Sequence, residues 1–118
     1  MLMASLPSEY GVGTMGAAAR KFADFLSDAG QQYWQLLPIC PTSYGDSPYQ
    51  SFSTFAGNPY FIDLNLLASE GLLDEKEYVS VNWGDDVSRI DYGRLYEQRY
   101  PVLKLAAKRF LENEPEDF

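Results

Sequence analysis

Residues 41–60, PTSYGDSPYQSFSTFAGNPY, hold the side chains with the most chemistry to offer. Tyr44, Tyr49, Phe52, Phe55 and Tyr60 are spread among Ser43, Asp46, Ser47, Gln50, Ser51 and Ser53, so flat rings alternate with short hydrogen-bonding groups. A pyranose presents an apolar C–H face and a rim of hydroxyls, and this mixture suits it. The competing reading is that the rings plug a core beneath the loop. That is the simpler reading for Phe52 and Phe55, whereas Tyr44 and Tyr49, set among Gly45, Asp46 and Ser47, fit sugar contact better. Asp46 is the one carboxylate of the stretch. Glycosidic chemistry generally needs two, about 5 to 10 Å apart, and no second one is in evidence, so Asp46 reads as a turn former or a hydroxyl acceptor.

Other chemistries are excluded by what the chain lacks. It contains no histidine, which removes Ser-His-Asp and Cys-His catalysis and any zinc site built on His and Cys. No metal site and no cofactor is expected. Gly11, Gly13 and Gly16 spell G-x-G-x-x-G ahead of a helical pattern, the form of a dinucleotide-phosphate cradle. However, Pro7 and Ser8 intervene after the preceding apolar run, and the stretch from Gln31 to Ile39 supplies no carboxylate where a ribose ligand belongs. A glycine turn is the better reading. Cys40 reads as a small apolar residue, and Trp34 and Trp83 as packing residues.

Three parts of the chain must position that loop. Residues 1–40 read as a β-α-β unit. An apolar run from Met1 to Leu6 forms a strand end, and a helix runs from about Gly16 to Ala29, capped by Thr14 and stopped by Gly30. Its apolar face is Ala18, Phe22, Phe25, Leu26 and Ala29, and a strand buried on both faces follows over Tyr33 to Ile39. Residues 41–60 form the loop, long enough to be functional. Residues 61–118 read as part of a subdomain with helices. A short helix over Leu66 to Glu70 stops at Gly71, an irregular acidic stretch covers Val79 to Asp86, and a long helix starts near Asp91. Tyr92, Leu95, Tyr96, Val102, Leu103, Ala106 and Phe110 make its stripe, and Pro101 must kink or split it.

The 118 residues suffice for one compact unit, while a complete (β/α)₈ barrel needs about 250. Seventeen acidic against nine basic residues give a formal charge of −8, which repels phosphate backbones and anionic lipid surfaces. Nucleic acid and membrane are therefore not expected as partners. One cysteine cannot form an internal disulfide, and a cytoplasmic setting fits.

Three strings, SLPSEYGVGTMG, FLSDAGQQYWQLLPICPTSYGDSPYQSFSTFAGNPYFIDL and NWGDDVSRIDYGRLY, resemble in order and spacing the opening third of amylomaltases, the disproportionating 4-alpha-glucanotransferases. GDSPYQSFS and AGNPY are the most specific parts. The one departure is Cys40, where glycine is frequent in the family. The resemblance implies an α/β fold, the amino-terminal portion of a (β/α)₈ TIM barrel with part of an inserted subdomain. It implies retaining transfer of α-1,4-glucan segments to the 4-hydroxyl of glucose or maltooligosaccharide acceptors. The three catalytic carboxylates of the family have no counterpart here. Tyr49 matches a tyrosine stacking on the sugar at the cleavage point, Ser47 a serine contacting substrate nearby, Tyr44 a tyrosine of a secondary glucan site, and Asp46 a loop aspartate without a catalytic role. The alternatives are a free-standing glucan-binding module and, more remotely, a nucleotide binder. A partial barrel leaves edges through which copies can self-associate.

Overall fold

The structure, a computed structural model, describes residues 1–42, 47, 49, 51–53, 55–86 and 88–113. The chain divides into two compact units, Met1–Ile62 and Asp63–Phe118.

In the first unit the helix expected after the glycines is present as α1, Ala17–Asp28. Its start differs from expectation: Gly16 is the N-cap residue, with no side-chain capping bond, and Thr14 is buried instead. Its end follows the expected stop. Gly30, at φ 79°, takes the left-handed conformation that glycine adopts without a Cβ penalty. The Gly30 amide then donates to the Ser27 carbonyl at 3.0 Å and the Gln31 amide to that of Leu26 at 2.8 Å, a Schellman closure. The buried face is narrower than the periodicity suggests. Ala19 joins Met3 and Leu6 in a small core against which Ala18, Phe22, Trp34, Leu36 and Phe61 pack, while Phe25 is exposed.

The expected strands are not formed. Among the described residues no β-strand is present, and Met3–Ser5 is a 3₁₀ turn. A strand exists only through a partner's ladder, and here the start of the chain curls against the glycine loop, with the Gly13 amide donating to the Ala4 carbonyl at 2.9 Å. Side chains link residues 1–6 and 33–39 instead: the Trp34 indole Nε1 donates to the Met1 carbonyl at 3.1 Å, and Trp34 and Leu36 pack on the core of Met3 and Leu6. Trp34 also meets Phe22 edge-on, with ring centroids 4.8 Å apart. From Tyr33 to Leu37, Trp34 and Leu36 are half-buried and Tyr33, Gln35 and Leu37 exposed, so the segment has the two-residue period of a strand face but covers one side only.

In the second unit α2, Leu64–Ser69, is capped by Asp63, whose Oδ1 accepts from the Leu66 amide at 2.9 Å. It ends at Gly71, φ 80°, by the same closure as α1. A short α3, Glu75–Tyr78, opens on a capping box between Asp74 and Glu77. This element was not expected, although Asp74-x-x-Glu77 is its sequence signature. The long helix begins where expected: Asp91 caps α4, Tyr92–Arg94, by accepting from the Arg94 amide at 3.1 Å. Pro101 has no amide to donate to the carbonyl of Glu97, and the helix widens into a π turn over Leu95–Arg99 before α5, Tyr100–Glu112. Leu95, Val102 and Ala106 are buried as the stripe predicts, but Tyr96 is exposed and Arg99 fully buried. The Arg99 guanidinium lies 5.7 Å from the ring centroid of Trp83, itself buried with its indole N–H donating to the Tyr78 carbonyl at 3.0 Å. Trp83 is thus a packing residue, as expected. No helix among the described residues is long and apolar enough to cross a membrane.

Candidate functional site

The ends of the 41–60 loop are tied to the first unit by backbone bonds that its own sequence arranges. The Asn58 amide donates to the Ile39 carbonyl at 2.9 Å, closing the loop at its base. Asn58 then caps the 3₁₀ turn Pro59–Phe61, its side chain accepting from the Tyr60 amide at 2.9 Å, and Pro59 supplies the fixed φ at the first position. From there the Phe61 carbonyl accepts the Met15 amide at 2.9 Å. Tyr60 is buried, which makes it an anchor of the loop and not part of its outward face.

Above that base the serines hold the chain in tight turns. Ser47 Oγ accepts from the Tyr49 amide at 3.3 Å, a use of the oxygen lone pair that does not consume its O–H. Ser51 Oγ accepts from the Ser53 amide at 3.1 Å and donates to the Ser53 carbonyl at 2.7 Å, and Ser53 Oγ accepts from the Ala56 amide at 3.3 Å. Hydrogen bonding over the described part of the loop therefore fixes its backbone locally while three of its rings stand out. Tyr49 is 72% exposed, Phe52 77% and Phe55 100%. Phe52 and Phe55, expected to plug a core, are covered by none of the described residues. Sequence reasoning missed this because a loop phenyl is equally well explained by burial, and only coordinates show which side it takes. Of the four predicted site residues, Ser47 and Tyr49 are brought together through the Tyr49 amide. Tyr44 and Asp46 lie outside the described residues.

The glycine motif has a packing explanation. A Cβ on Gly13 would sit 2.8 Å from the Leu6 amide nitrogen and 2.9 Å from the Leu6 carbonyl oxygen, and closer still to the Met3 carbonyl. The loop needs glycine there because backbone approaches backbone. The Gly13 amide is engaged by Ala4, which removes it as a phosphate donor. Among the described residues no group of three or more His, Cys, Asp or Glu side chains is placed to hold a metal ion.

A family model for 4-alpha-glucanotransferases matches residues 1–118, the whole chain. The 4-alpha-glucanotransferase of Clostridium butyricum is 52% identical over 118 residues, which are all of this chain and 24% of that protein. The enzyme of Thermus thermophilus is 53% identical over 108 residues, 92% of this chain and 21% of its own length. Among solved structures, amylomaltase from Streptococcus agalactiae in complex with acarbose superposes with a TM-score of 0.92 at 47% identity, over 97% of this chain and 23% of that one. The chain thus spans about a quarter of the length of the relatives it matches. With the whole sequence matched and the fold shared, the chain belongs to the 4-alpha-glucanotransferase family.

Proposed function

We propose that these 118 residues supply the sugar-holding loop of a 4-alpha-glucanotransferase, which cleaves α-1,4-glucan and passes the released segment to the 4-hydroxyl of another glucose or glucan. In this reading Tyr49 stacks on the sugar at the bond being cleaved, Ser47 offers its O–H to a substrate hydroxyl, and Tyr44 holds a glucan strand at a secondary site. Asp46 accepts a sugar hydroxyl. The nucleophilic carboxylate and the acid–base carboxyl lie outside these residues. The exposure of Tyr49 carries the reading: a ring with a polar tip is held in solvent at 72% exposure, on a turn braced by the neighbouring Ser47. Transfer instead of hydrolysis needs an acceptor hydroxyl to outcompete water at the covalent intermediate, and a loop of rings and hydroxyls that orients the acceptor and excludes water favours that outcome.

The barrel belongs to the same reading. Residues 33–39 are taken as one of its strands, completed by pairing within a longer chain, while residues 1–6 keep the 3₁₀ turn described above. The alternating burial of Trp34 and Leu36 supports this, as does the similarity to a solved amylomaltase. The loop then follows a barrel strand at the carboxyl-terminal face, where barrel enzymes place their active sites.

The test is Tyr49→Ala in a full-length enzyme carrying this chain. We expect kcat for maltotriose disproportionation to fall at least about tenfold, roughly 1.4 kcal/mol of transition-state stabilisation, with the thermal midpoint unchanged. Unfolding with turnover per folded molecule preserved would assign Tyr49 to packing.

A further inference from the structure

Tyr49, Phe52 and Phe55 recur every third residue along the loop, and all three rings are exposed, yet their chemistry differs. A tyrosine keeps a hydroxyl for water or a sugar while its ring makes contact. A phenylalanine has no polar tip, and complete desolvation is what its ring gains most from. Phe52 and Phe55 are also carried on braced backbone, the Ser51–Ser53 and Ser53–Ala56 turns, and both rings are exposed. The same fold, at a TM-score of 0.92, occupies 23% of a solved amylomaltase chain, so a further three quarters of polypeptide is available in such a protein to cover them.

We infer that Phe52 and Phe55 are positioning residues: they seat in apolar pockets of the remaining part of the glucanotransferase polypeptide, and that seating fixes the direction in which Tyr49 and Ser47 face the sugar. The inference rests on the proposed function for what the loop holds. Its occupant is protein, not glucan. Seating one phenyl ring contributes enough to select a loop position, because complete burial of so large an apolar side chain is among the stronger single contributions to packing. Tyr49 keeps its exposure for substrate, and the two phenylalanines give theirs up on assembly.

The experiment compares the 118-residue chain with a full-length chimera in which it is continued by the rest of the Clostridium butyricum relative. In a Cys40→Ser background, Phe52→Cys and Phe55→Cys are labelled with a thiol reagent. We expect labelling to be at least tenfold slower in the full-length protein than in the short chain, and unaffected by maltoheptaose. Equal rates in both would overturn the inference even if the chimera were inactive, and protection that appears only with maltoheptaose would assign the rings to glucan. In the kinetic arm, Phe52→Ala and Phe55→Ala should lower kcat for maltotriose severalfold and raise the share of hydrolysis over transfer, while Phe52→Leu and Phe55→Leu, which keep an apolar anchor without a π face, retain most of it. Leucine variants as impaired as the alanine variants would make the rings stacking platforms and overturn the inference. An inactive chimera with protected thiols would leave the seating intact and count against the proposed function alone.

Discussion

Glu77 Oε1 receives Arg109 Nη1 at 2.7 Å and the Asp74 amide at 3.3 Å, while Arg109 Nη1 also donates to the Leu72 carbonyl at 3.1 Å. The Arg109 hydrogen bond holds the Glu77 carboxyl below the ordinary glutamate range, against the opposing effect of desolvation. Asp86 is lowered too, first through its side-chain bond from the Ser88 hydroxyl at 2.6 Å. A carboxyl depressed in the folded state gives stability that is fully present above its unfolded pKa and lost as pH falls through the folded one. The chain should therefore lose thermal stability on acidification below the ordinary carboxylate range, and Glu77→Gln should reduce that loss. A melting series against pH in both proteins checks it; an identical slope would remove Glu77 from the account. Single residues also mark where sequence reading stopped. Arg99 sits in the helical stripe, but a charged residue is ordinarily assigned to the solvent face. Among its partners in burial is the Trp83 ring, which no local pattern announces.

Elements were legible in proportion to how local their causes are. The stops of α1 and α2 are single glycines whose left-handed backbone follows from lacking a Cβ, and the start of α4 is an aspartate bonding an amide three residues on. Pro101 marked a break in the long helix for the same reason, and the break takes the form of a π turn. The strands failed because a ladder is not a local property: residues 33–37 have the alternation, and the partner is absent among the described residues. Gly13 lies between these cases. The sequence marked it as special, and packing against Met3 and Leu6 supplied the reason. Gly13→Ala should destabilise the first unit by about 1–3 kcal/mol, the usual cost of forcing a methyl into filled space, with higher values where the obstacle is backbone. Denaturant unfolding measures this. Full tolerance would mean that residues 1–6 do not rest on the glycine loop.

At the scale of the whole molecule, the first unit exposes many large hydrophobic side chains, among them Phe25, Tyr33, Leu37, Phe52 and Phe55, and exposed apolar surface favours association. The 118-residue chain should self-associate despite its charge of −8, with light scattering showing a mass that rises with concentration. A single monomeric mass at every concentration would count against this. The family was readable because its specific strings run through the chain, the loop among them. Tyr44 and Asp46, by contrast, lie outside the described residues, so their reading rests on the sequence.

The central claim is that the chain holds sugar but does not carry the bond-breaking groups. Retaining transfer needs a nucleophilic carboxylate and a proton-donating carboxyl about 5 to 5.5 Å apart, and this chain has no histidine to substitute and only one carboxylate in the sequence of residues 41–60. The most direct measurement is glucose release from maltotriose by the purified 118-residue chain, alone and continued by the rest of a 4-alpha-glucanotransferase. The account predicts none from the chain alone and transferase activity from the longer protein. Glucose release by the short chain that is abolished by Asp46→Asn would contradict it, and would make Asp46 a catalytic carboxylate.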